Sequence, residues 1–186
     1  MSKKDDILNA TLELVMEEGL HSLTFSKIFK KANVGSGTLY NYFKNMDELI
    51  YTLYDISFQD LTEEVMKNYD PEARLYQRFK HLIEGSLKYS LTYPERLVFV
   101  TDLIYSPYMP EKYRDIESNK IFSEIFKVIK TGQEKGLIRE VNPNLCLSMI
   151  FGIIFFGVKG TLINKYSLDE NQISQIVESC WKAVKI

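Results

Sequence analysis

Between Lys30 and Asn45 the chain reads KKANVGSGTLYNYFKN, a stretch with no acidic side chain. It offers hydroxyls from Ser36, Thr38, Tyr40 and Tyr42, an amide from Asn41, and lysines near both ends. Hydroxyl, amide and ammonium groups donate to phosphate oxygens and base edges. Gly35 and Gly37 let a backbone approach a surface closely, and a helix start there presents unpaired N–H groups to anions. This chemistry suits holding an anionic partner. From Gly19 to Met46 the only charged residues are Lys27, Lys30, Lys31 and Lys44, while Glu17, Glu18, Asp47 and Glu48 lie on either side. Four lysines also suit an ordinary solvated helix face, so charge alone decides nothing.

The elements that must present these groups follow from periodicity. Apolar residues recur at helical spacing along nearly the whole chain, and turn signals sit at the expected helix ends, so the fold class is all-α. Ile7, Leu8, Thr11, Leu12 and Val15 mark one face of a first helix that Gly19 ends. Thr24 is placed to cap a second helix that carries Ile28 inward. Asn33 tolerates the positive φ of a tight turn, and Val34 is expected to plug the angle before a short third helix over about residues 36 to 42. At 100° per residue Leu39 and Phe43 face inward, whereas Gly37, Tyr40 and Asn41 look out with Ser36, Thr38 and Tyr42 at the flanks. Asn45 and Glu48 have the spacing of a capping box for a long fourth helix from about Met46 to Met66. Asp70-Pro71, Tyr93-Pro94, Pro107, Pro110, Asn142-Pro143 and a Ser167/Glu170 capping box divide the remainder into five or six more helices.

Helix, tight turn and short helix is the geometry that sends a second helix into the major groove. The segment LTFSKIFKKANVGSGTLYNYFKNMDELI, residues 23 to 50, resembles the amino-terminal helix-turn-helix of the tetracycline-repressor (TetR/AcrR) family of bacterial transcriptional regulators. Thr24, Ile28, Val34, Gly37, Thr38, Leu39, Tyr40 and Phe43 carry the resemblance in order and at the right spacing. It departs from the usual pattern at Phe29, Asn33, Gly35, Tyr42 and Met46, where the family commonly has alanine, glycine, serine, histidine and lysine. Lys44 is near enough to reach the phosphate that Met46 cannot hold. The resemblance implies a helix-turn-helix DNA-binding domain over residues 1–46 and a helical ligand-binding and dimerisation domain over 47–186. Its implied DNA-binding residues are Thr24, Lys27, Gly35, Ser36, Gly37, Thr38, Tyr40, Asn41, Tyr42 and Lys44, with double-stranded operator DNA as partner.

The body is rich in aromatic residues. Phe58, His81, Tyr89, Phe99, Tyr105 and Tyr108 fall where the family usually encloses an inducer, which implies a small hydrophobic or aromatic ligand. From Asn144 to Ile163 apolar residues occur on every side of a helix, so it must be covered all round, inside one subunit or by a second copy. The resemblance implies a homodimer in which this helix and the segment Ile121 to Ile129 form a four-helix bundle, with Phe122, Phe126, Phe151, Phe155 and Val158 at the seam. Gly152, Gly157 and Gly160 would let helices come close.

Other classes are less well served. The apolar run Leu145 to Val158 stops at Lys159, short of the ~20 residues that span a bilayer, so no membrane partner is expected. No apolar signal core opens the chain, and Cys146 and Cys180 fit a reducing compartment as buried small hydrophobes, so a cytoplasmic location is expected. The net charge of -2 shows no global sign of a polyanion partner. Of the two histidines only His21 follows a glutamate (Glu18) by three, where a di-metal carboxylate bundle needs two such motifs and His81 has Arg78 in that place, and there is no nucleophile elbow, phosphate loop or metal-spaced cysteine set, so neither an enzyme nor a cofactor or metal is expected. The competing class is a helical lipid-carrier or protein-interaction module without specific DNA binding.

Overall fold

The computed structural model describes residues 2–107, 109 and 119–186. The described residues form nine α-helices and no strand. They fall into two compact units, one drawn from residues 1–59 and 95–110 and the other from 60–94 and 111–186.

In the first unit α1 (Lys3–Glu18) starts at a capping box, Ser2 with Asp5, and buries Ile7, Leu8, Ala10, Thr11, Leu12, Leu14 and Val15. Gly19 ends it at φ 84°, a backbone that side chains with a Cβ rarely adopt. After a single 3-10 turn (Leu20–Ser22), Thr24 accepts a hydrogen bond from the Lys27 amide and opens α2 (Phe25–Lys31). Asn33 turns the chain at φ 51°. Val34, half-buried, donates its amide to the Phe29 carbonyl, and α3 (Ser36–Tyr42) follows. These three helices pack on one another over Ile7, Ile28, Leu39 and Phe43, each at most 1% exposed.

The long α4 (Met46–Val65) begins in the first unit and ends in the second. Its start differs slightly from the expected box. Asn45 accepts from the Glu48 amide at 2.8 Å, but the Glu48 carboxylate bonds the Lys44 amide at 2.7 Å, one residue earlier. In the first unit Leu49, Leu53, Tyr54 and Phe58 are buried on it, as are Phe99 and Leu103 of α6 (Pro94–Ile104).

The second unit is built from α5 (Leu75–Thr92), α7 (Lys120–Glu134), α8 (Pro143–Leu162) and α9 (Glu170–Val184). Here α9 packs on α8 and α5, and α7 packs on α5 and α8. Leu82, Ile83, Leu87, Val128, Ile129, Ile150, Ile154 and Val184 form a fully buried centre. Cys146 and Cys180 lie in it, and burial pushes the Cys180 thiol up to about 12, so it stays protonated. The chain end is tied to the loop before α8 through an antiparallel bridge between Ile138 and Lys185.

Two expectations need correction. The cap of α9 is Asp169 with Gln172, not Ser167 with Glu170; the Asp169 carboxylate accepts the Gln172 amide at 2.8 Å, a charge-assisted bond at the helix's positive end. And α8 extends past Val158 to Leu162, giving 20 residues, so by length and composition it is apolar enough to cross a membrane.

Candidate nucleic-acid interface

Leu39 and Phe43 anchor α3 from beneath, and their spacing of four forces everything between them outward. Ser36, Gly37, Tyr40, Asn41 and Tyr42 are exposed, Thr38 is half-buried, and Tyr40 leaves 58% of its surface to solvent. Tyr40 is not left to swing freely. Its ring meets Phe25 edge to face, 5.3 Å between centroids and 73° between planes, so the first residue of α2 props the phenol upright. Sequence reasoning passed over Phe25, because a single apolar residue at a helix start has no periodic partner to single it out. Tyr42 lies beside Phe43 in a tilted pair, 6.5 Å between centroids and 46° between planes.

Gly37 is the second residue of α3 and is exposed. It lies in the first turn of the helix, and glycine in a helix interior costs up to about 1 kcal/mol relative to alanine. Its backbone is helical, and a Cβ built on it would meet no atom within 4 Å. Neither conformation nor packing within the chain calls for glycine there. Gly35, exposed at the start of α3, has only the Thr38 hydroxyl at 4.0 Å from such a Cβ.

The lysines divide into two kinds. The Lys27 ammonium is ion-paired with Glu18 and also donates to the Ser22 carbonyl at 3.1 Å. Lys31 pairs with Glu17 at 2.6 Å and Glu13 at 3.3 Å. The hydrogen bond that Lys27 donates holds the Glu18 carboxyl below its usual range, and those that Lys31 donates to Glu17 and then Glu13 raise Lys31 above its own. Among the described residues Lys30 and Lys44 form no ion pair, and both are exposed. Thr24 is exposed too; its oxygen accepts the Lys27 amide, which leaves its O–H free to donate.

A profile of bacterial regulatory proteins of the tetR family matches residues 7–51. One of the tetracyclin repressor-like C-terminal domain matches 54–186. The chain belongs to the TetR family. Its TetR-family relatives include the fatty acid metabolism regulator protein of Bacillus subtilis (strain 168), 27% identical over 92% of this chain and 89% of that one. Among solved structures, a TetR family transcription regulator from Marinobacter aquaeolei VT8 shares the fold at a TM-score of 0.86 and 20% identity, covering 98% of this chain and 95% of that one. FadR from Bacillus subtilis, solved in complex with stearoyl-CoA, does so at 0.70 and 23% identity, covering 96% and 95%. The protein is therefore a TetR-family transcriptional regulator with an amino-terminal helix-turn-helix.

The body residues singled out from the sequence fall in both units of this TetR-family chain. In the first unit Phe58 is buried against Tyr54, Phe99 is wholly buried, and Tyr105 is 80% exposed. In the second, Tyr89 is buried with its ring 5.0 Å from Tyr93, and His81 Nε2 bonds the Val65 carbonyl at 2.8 Å, closing the end of α4. Tyr108 lies outside the described residues.

The residues expected at the seam divide as well. Phe122, Phe126 and Val158 are buried within the chain itself, each at most 5% exposed. Phe151 packs on Phe122 at 5.2 Å, and Phe155 is half-buried beside Phe156. The open apolar surface is the opposite side of α8. Leu145, Met149, Gly152, Phe156 and, at its cap, Ile163 share one face at 100° per residue, with Phe156 71% and Ile163 68% exposed. A Cβ on Gly152 would meet nothing within 4 Å, whereas Gly157 faces Ile176 of α9 at 3.5 Å and Gly160 lies under the Tyr166 ring.

Proposed function

We propose that this regulator is a homodimeric repressor whose two α3 helices enter successive major grooves of a palindromic operator, and which a small hydrophobic or aromatic ligand releases. The observation that carries this reading is the open glycine at position 37 on a helix face made of hydroxyls, an amide and Tyr40. Ser36, Gly37 and Asn41 are assigned to base edges, where asparagine can pair with adenine in two-point fashion. Thr24, Thr38, Tyr40, Tyr42, Lys30 and Lys44 are assigned to phosphates, with Gly35 allowing the close approach. The open stripe on α8 supports a second copy as its cover, since a dimer would set two heads about 34–36 Å apart, one helical turn of DNA. Such a protein works in the cytoplasm, and on this reading α8 is a dimer helix rather than a membrane span. A relative concerned with fatty acid metabolism and a fold neighbour that holds stearoyl-CoA make a long-chain acyl-CoA the first ligand to try.

Anisotropy titrations of labelled duplex against salt test the reading. Binding should weaken steeply with ionic strength, and Lys44→Ala should lower the slope of log K against log salt by about 0.9 for each phosphate left without its lysine. Tyr40→Phe should weaken binding on every sequence alike. A salt-independent affinity, or none for random duplex at low salt, would leave the interaction-module reading in its place.

A further inference from the structure

The ion pairs of the head extend that DNA-binding reading, and the inference rests on it. The second helix carries lysines at positions 27, 30 and 31, and two of the three are turned back toward α1. These pairs are not local accidents of one helix. Glu18 and Lys27 are 9 residues apart, and Glu17 and Lys31 are 14 apart, so each pair joins different helices. Lys31 is held by two carboxylates at once, and Lys27 by a carboxylate together with the Ser22 carbonyl. Three acids on the last two turns of α1 therefore act on two cations that the sequence presents as part of a positive island.

We infer that Glu13, Glu17 and Glu18 are built-in counter-ions that withhold Lys27 and Lys31 from the phosphate backbone and so lower the sequence-independent part of the affinity for DNA. Binding to random sequence comes almost wholly from lysines and arginines displacing condensed counter-ions. A lysine already neutralised by its own protein displaces none. The acids are positioning residues. They act through the two lysines and touch no DNA.

The test is a double-mutant cycle on random-sequence duplex with the full-length protein. Glu18→Gln should steepen the slope of log K against log salt by about 0.9 per lysine released in each protomer, and tighten binding at low salt. Glu13→Gln with Glu17→Gln should do the same through Lys31. In a Lys27→Ala background Glu18→Gln should change neither slope nor affinity, whereas simple removal of a negative charge near DNA would still tighten binding there. Thermal melts accompany each variant, since loss of folding would lower affinity rather than raise it. An unchanged slope in Glu18→Gln, or an equal gain with and without Lys27, overturns the inference while leaving the wild-type DNA reading intact. Failure of the wild type to bind random duplex at low salt overturns both.

Discussion

Glycines in this chain have opposite reasons for being glycine, and the difference separates function from packing. At Gly160 a Cβ would overlap the Tyr166 ring, whose hydroxyl donates to the Phe156 and Gly157 carbonyls at 3.2 Å, so that glycine belongs to the fold. At Gly37 nothing lies in the way. Gly37→Ala should therefore stabilise the free protein, by up to about 1 kcal/mol from helix propensity. That amounts to roughly 2–4 °C in Tm for a chain of this size. The same methyl should weaken DNA binding, because it fills the space the duplex needs. Melting curves and duplex titrations on the one variant check both signs, and a stabilised protein with unchanged affinity would remove Gly37 from the interface. The sequence alone made both glycines visible but not their surroundings. The same holds for the lysines: the basic run was legible, whereas the partners Glu13, Glu17 and Glu18 depend on how α1 lies across α2, which no spacing within either helix states.

Helix boundaries were the most legible level, because each depends on a few adjacent residues. Gly19, Thr24, Asn33 and Asn142-Pro143 act where their types require. At α9 two acceptors, Ser167 and Asp169, compete within three residues, and the charged one caps the helix. Which helices meet a partner was harder to read. The amphipathic stripe of α7 resembles a seam, yet its apolar side is consumed by α5 and α8, and Lys127 and Lys130 point outward. In α8 apolar residues on every side mean two covers, one internal and one still open. Phe156→Asp, a change at a residue 71% exposed, should leave helix content nearly unchanged and convert a dimer to a monomer, with a melting temperature that no longer depends on protein concentration. Analytical ultracentrifugation checks this. A wild type that already sediments as a monomer would mean that α8's outer face has another occupant.

For the whole molecule, DNA recognition by short heads depends on having two of them. The α3 helix is seven residues long, with Leu39 and Phe43 turned inward, so one head offers few groups to one half-site. Joining two heads makes the second binding step intramolecular, and its effective concentration multiplies the affinity without any new chemistry. Salt dependence separates the two contributions. Each head neutralises its own phosphates, so the Phe156→Asp monomer should bind random duplex with about half the wild-type slope of log K against log salt. On a palindromic site its affinity should fall by about 10²–10⁴-fold, the range expected when linked modules are separated. A ligand that works by re-spacing the heads would then have nothing to act on. An acyl-CoA that releases the wild type should leave the monomer's half-site binding unchanged, since a ligand shifts an equilibrium only where the two arrangements differ in their affinity for it. Release of the monomer by the same ligand would instead mean that the signal reaches the reading helix within one chain.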